Sequence, residues 1–293
     1  MLYGPNRKPL SGTWAVLHRV QRMRGASGPV DSARTGPQGD YRLRIPRADT
    51  SAMYVVSSLY QGIAYFSEPV PTRGAPRAPL KPILVYDTAS TGPPIGTRRR
   101  LVTVALPSKD GTRAVLELLV LENPGKTTRV APDTTSPTWT GLVPPEAIQF
   151  EAGEGDISPQ AVGLREDTVA VFGPIPPGDF KQLTYSYVLP SNMQRFPIPI
   201  GQPIDEIDLL LEDTTATVTA PGLENVGVQT IDQRRFAGYR TGALQPGAVV
   251  AVTFAPPGFG VQAMLPYVIA LVVLALAAGL VFALRRQPSA VGT

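Results

Sequence analysis

Residues 265–284, LPYVIALVVLALAAGLVFAL, carry no charged side chain, and this run restricts the chain more than any other feature. In a helix rising 1.5 Å per residue, about twenty residues cross the roughly 30 Å hydrocarbon core of a bilayer. A helix packed inside a water-soluble domain keeps a polar stripe, and this run has none. Pro266 falls in the first turn, where a missing N–H costs little, and Tyr267 falls where an interfacial aromatic belongs. Arg285 and Arg286 close the run, and no Lys or Arg stands between Arg240 and Arg285. The positive-inside rule then predicts one pass through the cytoplasmic membrane. The tail 287–293 lies in the cytoplasm and everything before residue 265 lies outside it, in the periplasm of a bacterial-type cell. Ala275, Gly279 and Ala283 recur every four residues, so the predicted helix has a small-residue face on which another helix can pack closely. The first residues, MLYGPNRKPLSG, show no apolar export-signal region.

The remainder reads as β-structure. Gly and Pro make up about a fifth of the chain while 43% of residues are hydrophobic. Short apolar runs punctuated by Gly/Pro turns predict an all-β protein rather than a disordered one. There is no cysteine and one histidine, His18. Disulfides, thiolate sites and multi-histidine metal centres are therefore excluded. Residues 1–81 hold twelve Lys/Arg against four Asp/Glu, and the rest is mildly acidic. The basic part suits anionic lipid or an acidic protein surface, or is simply a solvated surface.

Apolar runs at 13–20, 41–45, 52–60 and 63–66 predict the strands of a first module over 1–81, with Tyr41-Arg42-Leu43-Arg44-Ile45 alternating as a half-buried strand with both arginines outward. A strand and a Gly/Pro/Ser/Thr-rich linker occupy 82–97. Runs at 101–105, 114–121, 147–150, 169–172 and 183–188 predict a second sandwich over 98–190. Runs at 204–211, 215–219, 226–231 and 248–254 predict a third module over 191–257, and a single large sandwich over 98–257 is the alternative. Both later modules end on a Pro-Gly turn, a strand and a proline, either a weak repeat or one common turn used twice. Residues 258–286 join domain to membrane as juxtamembrane linker and helix. The predicted architecture is tandem β-sandwich domains plus one C-terminal transmembrane helix.

The segments Pro9-Leu10-Ser11-Gly12-Thr13-Trp14 and Thr35-Gly36-Pro37-Gln38-Gly39-Asp40-Tyr41 resemble the P-L-x-G turn and the T-x-x-x-G-x-Y hairpin of the carboxypeptidase regulatory-like domain. The resemblance covers about the first quarter of the chain. It implies a transthyretin-like β-sandwich used for adhesion, stability or interaction, with no active-site residues to carry over. Leu2-Tyr3 stand where the family has its first strand.

Motifs for chemistry are weak. Gly125-Lys126-Thr127 matches the end of a phosphate loop, but Val120 stands where that motif needs its first glycine, so a turn is expected. Glu151, Glu154 and Asp156 sit in a glycine-containing loop whose spacing is no EF-hand, and a solvated loop is preferred to a calcium site. Asp205, Glu206, Asp208, Glu212 and Asp213 read as exposed positions along and after an apolar strand. His18 has no nucleophile motif around it. The expectation is a chain that is not an enzyme, with no catalytic residue, cofactor or metal. Arg42, Arg44 and the run Arg98-Arg99-Arg100 are the candidates for contact with a partner, since guanidinium pairs bidentately with carboxylate or phosphate.

Two roles are compatible with these readings. One is a structural or accessory subunit of a membrane complex, respiratory or photosynthetic for example, bound to other membrane subunits and the bilayer and to no nucleic acid. The other is a freestanding envelope module that binds glycan or peptide, which calls for an exposed aromatic cluster at Trp14 or Trp139.

Overall fold

The computed structural model describes residues 1–21, 27–45, 47, 49–70 and 79–255. The predicted membrane helix, with Tyr267, Ala275, Gly279, Ala283, Arg285 and Arg286, lies outside them. The described residues are all-β apart from one short 3-10 turn, and no helix among them is long and apolar enough to cross a membrane.

The N-terminal sandwich contains β1 (Leu2–Tyr3), β2 (Lys8–Pro9), β3 (Trp14–Val20), β4 (Gly28–Arg34), β5 (Met53–Tyr60), β6 (Ile63–Phe66) and β7 (Leu84–Val85). One layer runs β4-β3-β5-β6 and the other β2-β1-β7, with β1 parallel to β7. Strict alternation places Ala15 and Leu17 of β3, Tyr54 and Val56 of β5 and Tyr65 of β6 on the inner face, against Ile83, Val85 and Tyr86. Residues 41–45 are not a ladder strand. Tyr41, Leu43 and Ile45 do pack on the core and Arg42 and Arg44 face out, but the Arg44 N–H donates to the Asp31 carboxylate (2.6 Å) instead of to a neighbouring strand.

The two family-like motifs meet in space. The Gly12 N–H donates to the Thr35 carbonyl (2.8 Å), the Thr35 N–H to the Thr13 carbonyl (2.9 Å), and the Thr13 N–H to the Thr35 hydroxyl (3.0 Å). Within the hairpin, the Gly36 N–H reaches the Asp40 carbonyl and the Gly39 N–H the Gly36 carbonyl. The P-L-x-G turn and the T-x-x-x-G hairpin are thus one unit, with buried Thr35 satisfying both.

The remaining strands are β8 (Thr88–Ala89), β9 (Gly96–Val104), β10 (Arg113–Glu122), β11 (Thr128–Arg129), β12 (Trp139–Leu142), β13 (Ile148–Ala152), β14 (Val162–Arg165), β15 (Thr168–Val171), β16 (Lys181–Leu189), β17 (Arg195–Ile198), β18 (Ile204–Leu211), β19 (Thr217–Thr219), β20 (Glu224–Ile231), β21 (Arg234–Thr241) and β22 (Val250–Thr253). A seven-stranded sheet, β13-β16-β10-β9-β18-β21-β20, crosses from the predicted second module into the third through the parallel pair β9·β18. Two three-stranded sheets, β12-β15-β14 and β17-β22-β19, and the short parallel pair β8·β11 make up the rest of this region. A single apolar core, from Ile95 to Phe254, joins the three sheets.

The two sandwiches are clasped together. The Asp87 carboxylate accepts from the hydroxyls of Tyr3 (2.5 Å) and Tyr60 (3.0 Å) and the Gln61 amide (2.8 Å). The hydrogen bond to Asp87 pushes the Tyr3 pKa up to about 12. Tyr65, from the N-terminal core, meets the Thr128 hydroxyl of β11 at 2.7 Å.

Candidate functional site

Two regions combine chemistry with an unusual environment. The first is the outer face of the N-terminal sheet. An antiparallel sheet with one solvated face normally alternates apolar-in and polar-out. Here both sides are apolar. Register places Val16, Ser57 and Phe66 in one row across β3, β5 and β6, with His18 beside Val55 in the next. Trp14 and Leu59 continue the face two residues further along their strands. Trp14 is 50% exposed, Leu59 67% and Phe66 61%. The Arg34 guanidinium lies 4.9 Å from the Trp14 ring centroid, opposite it on β4. His18 Nε2 and the Ser57 hydroxyl are 2.8 Å apart in the middle of this face. Trp139 is buried in the larger sandwich, so the aromatic exposure is on Trp14 alone of the two.

The second region is the arginine run. The expected contiguous surface cluster does not form, because β9 bulges. Val120 of β10 faces Arg99 and Leu121 faces Thr97, which leaves Arg98 as the extra residue. Arg98 and Arg99 therefore both point outward, while Arg100 points into the core and is 3% exposed. On the outside, Arg98 pairs with Glu122 and with Asp205 (2.6 Å), and Arg99 with Glu206 (3.2 Å) and Asp208 (2.5 Å). Arg240 of β21 reaches Asp208 from the other side at 2.8 Å. Asp208 is thus buried under two guanidiniums and not exposed as its place in the strand pattern suggests. Arg113–Asp213 and Arg234–Glu212 extend the lattice. Arg98 and Arg99 are engaged within the sheet, and Arg100 offers nothing to a partner. Arg42 and Arg44 remain exposed.

Inside, Arg100 forms a bidentate pair with Glu117 through Nε (2.6 Å) and Nη2 (2.9 Å). The hydroxyls of Tyr185 (3.0 Å) and Tyr187 (2.7 Å) donate to the same carboxylate, whose residue is fully buried. Arg100 Nη1 donates to the Pro199 carbonyl at 2.9 Å, so the guanidinium also holds the chain just after β17 against the large sheet. Burial pulls the Arg100 pKa down, but the Glu117 charge and hydrogen bond together with Tyr185 and Tyr187 outweigh it and the net shift is upward. Burial, then the same charge, pushes both tyrosines well above their ordinary range. Nothing in the sequence distinguishes Glu117 from its neighbours except one charge inside an apolar alternation, RAVLELLVLE.

The weaker motifs resolve into local structure. The Asn123 side chain organises the Gly125-Lys126-Thr127 turn, accepting from the Gly125 N–H (2.9 Å) and donating to the Thr127 carbonyl (2.8 Å). The acidic loop runs beside β16, where Asp156 accepts from the Gln182 N–H (2.9 Å). Among the described residues no three His, Asp or Glu side chains gather as a metal-binding group.

No family model matches the chain, and no curated protein matches it. Solved structures match weakly. An M1 zinc metallopeptidase from Deinococcus radiodurans is 8% identical with a TM-score of 0.35 over 55% of this chain and 42% of that one. A two-domain M1 zinc metallopeptidase mutant bound to L-tryptophan is 7% identical with a TM-score of 0.36, over 58% and 44%. The yeast delta-COP-I mu-homology domain is 13% identical with a TM-score of 0.16, over 56% and 75%. The chain spans less than half the length of the metallopeptidases. Because structures similar to it include enzymes, the expectation that the chain is not an enzyme is withdrawn, and likeness at this level carries no peptidase activity to it either. What stands is a mostly β-sheet chain with sandwich-like sheets.

Proposed function

We propose that this chain is a membrane-tethered accessory subunit of a larger membrane complex. Its N-terminal sandwich, of the carboxypeptidase regulatory-like type, docks a partner subunit through the outer face of β4-β3-β5-β6. The observation that carries this is the exposure of Trp14, Leu59 and Phe66 together on a sheet face that also carries Val16 and Val55 around the His18–Ser57 pair. Exposed large apolar side chains gathered on one face mark an interaction surface, and Trp is enriched where interfaces concentrate their energy. The uncharged residues 265–284 and Arg285-Arg286 support the tether and its orientation. The half-exposed Trp14 ring also suits a freestanding module that binds glycan or peptide, and this is the second reading.

The test is extraction of the full chain in mild detergent followed by native separation. The wild type should migrate with other membrane subunits. The triple variant Trp14→Ser, Leu59→Ser, Phe66→Ser should retain roughly tenfold less of them, the loss of a modest hot spot. Equal retention overturns the docking face, and migration of the wild type alone favours the second reading.

The tether has its own test. Protease added to intact spheroplasts should digest the β-domains. Their survival until the membrane is lysed overturns the orientation. Gly279→Leu should leave insertion intact yet loosen the protein from its complex, with Leu280→Ala, on another face, as control.

A further inference from the structure

Four connections of the larger sandwich gather at one end: β9 to β10, β16 to β17, β18 to β19 and β20 to β21. The Leu106 N–H donates to the Glu212 carboxylate (2.9 Å), and Arg234 pairs with the same carboxylate. A Cβ on Gly111 would fall 3.0 Å from Ser191. The chain also leaves the sandwich here, since the Phe254 N–H, just past β22, donates to the Gln194 carbonyl (2.9 Å). The N-terminal sandwich is joined at the opposite end, where Tyr65 meets Thr128 beyond the last residue of β10. The ten residues of β10, at about 3.4 Å each, set the two ends about 34 Å apart.

The chain from Ala255 to Leu265, where the uncharged run begins, is short. A random coil of that length spans about 17 Å, and a fully stretched chain about 36 Å. Given the membrane tether proposed above, on which this inference rests, the end that carries Ala255 faces the bilayer. The opposite end would reach it only on a taut chain running back along the whole domain. The side chains suit that placement. Leu106 is 50% exposed and Ile231 41%. Lys109, Arg195 and Arg235 are exposed, and none of their charged groups has a hydrogen bond or ion pair among the described residues. The acids beside them are mostly held: Asp110 by Ser108 and Thr112, Glu212 by Arg234, and Asp213 by Arg113. Asp232, in the β20–β21 turn, lacks such a partner, which leaves three unpaired cations against one unpaired acid. Exposed hydrocarbon with free cations around it matches a lipid surface, where phosphates take the charge and the acyl boundary takes the apolar groups. We infer that this end of the larger sandwich rests on the bilayer, with Leu106 and Ile231 entering the headgroup layer and Lys109, Arg195 and Arg235 on anionic phospholipid headgroups. The N-terminal sandwich and its Trp14 face then stand clear of the membrane, the height of the larger sandwich away.

The chain has no cysteine, so one introduced thiol takes a fluorophore at a single place. The full chain is reconstituted in vesicles of phosphatidylcholine and phosphatidylglycerol whose lipids carry a nitroxide quencher on the headgroup. A fluorophore on Asn192→Cys, in the exposed β16–β17 turn, should be quenched, and one on Lys126→Cys, at the opposite end, should not. Each cation near an anionic surface is worth about fivefold in occupancy, so Lys109→Gln, Arg195→Gln, Arg235→Gln together should abolish most of the Asn192→Cys quenching. Added salt, or vesicles without phosphatidylglycerol, should do the same with the wild-type charges in place, which covers a triple variant that folds poorly. A fluorophore on Val272→Cys, within the uncharged run, reports the tether separately through a nitroxide on the acyl chain. If Val272→Cys is quenched while Asn192→Cys is quenched no more than Lys126→Cys, the tether stands and the resting end is overturned. Quenching at Asn192→Cys that ignores salt, phosphatidylglycerol and the three cations overturns the headgroup contacts. An unquenched Val272→Cys overturns the tether and this inference with it.

Discussion

Replacing Arg100 by methionine should lower the unfolding free energy of the larger sandwich by about 3–5 kcal/mol, the usual cost of stripping one partner from a buried ion pair. The Glu117 side chain has no exposure, so the carboxylate left behind cannot reach water. It would keep the hydroxyls of Tyr185 and Tyr187, which are too few to replace a bidentate guanidinium. The Pro199 carbonyl would lose its donor as well. Urea unfolding of the full chain in detergent, followed by near-ultraviolet circular dichroism, measures the loss. A further readout separates this cause from a simple packing defect. Adding Glu117→Leu, Tyr185→Phe and Tyr187→Phe to Arg100→Met should recover most of the stability, because an apolar cluster of similar volume removes the uncompensated buried charge and leaves only the Pro199 carbonyl without its donor. No recovery in the combined variant would point to lost volume instead.

Gly39→Ala should destabilise the N-terminal sandwich by more than about 2 kcal/mol. Gly39 adopts φ +71°, where an L side chain is strained, and a Cβ there would sit 2.2 Å from the Met1 carbonyl oxygen. The Met1 ammonium donates to the Gly39 carbonyl, so the two backbones cannot simply separate. Gly62 is the internal control. It has φ +79° but open space around it, so Gly62→Ala should cost only the left-handed strain, about 1 kcal/mol. Equal urea midpoints for the two variants would show that the close approach to Met1 contributes nothing.

Much of the β-structure was legible because burial on one face leaves a period of two in the sequence. The runs at 63–66 and 204–211 coincide with β6 and β18, and those at 101–105, 114–121 and 183–188 fall within a residue or a few of β9, β10 and β16. The missed strands lack that signature. β17 contains Pro197 and lies at a sheet edge, where its absent N–H is tolerated. β12 contains Gly141, β21 opens on Arg234-Arg235, and β4, GPVDSAR, shows no apolar alternation. Each is a strand because a neighbour supplies the ladder, which no local pattern records.

The sites divide in the same way. The exposed outer face of β3 and β5 was partly visible, since WAVLHRV and MYVVSSLY are apolar at odd and even positions alike, a pattern that leaves apolar side chains on both faces. The arginine run was visible as three adjacent charges and was misleading as such. By itself the chain determined that the described residues would be β-structure and that cysteine chemistry is closed to it, while the hairpin at Thr35–Tyr41 was implied by a family resemblance. Only the tertiary structure decided that Arg98 and Arg99 meet carboxylates on the outer face while Arg100 enters the core beside Glu117. The physical reason is that one bulged residue changes which face a side chain takes, and the partners come from strands far away in sequence. Arg99 and Asp208 are 109 residues apart and touch because β9 and β18 pair in parallel, a register set by a shared core and not by any local run of residues.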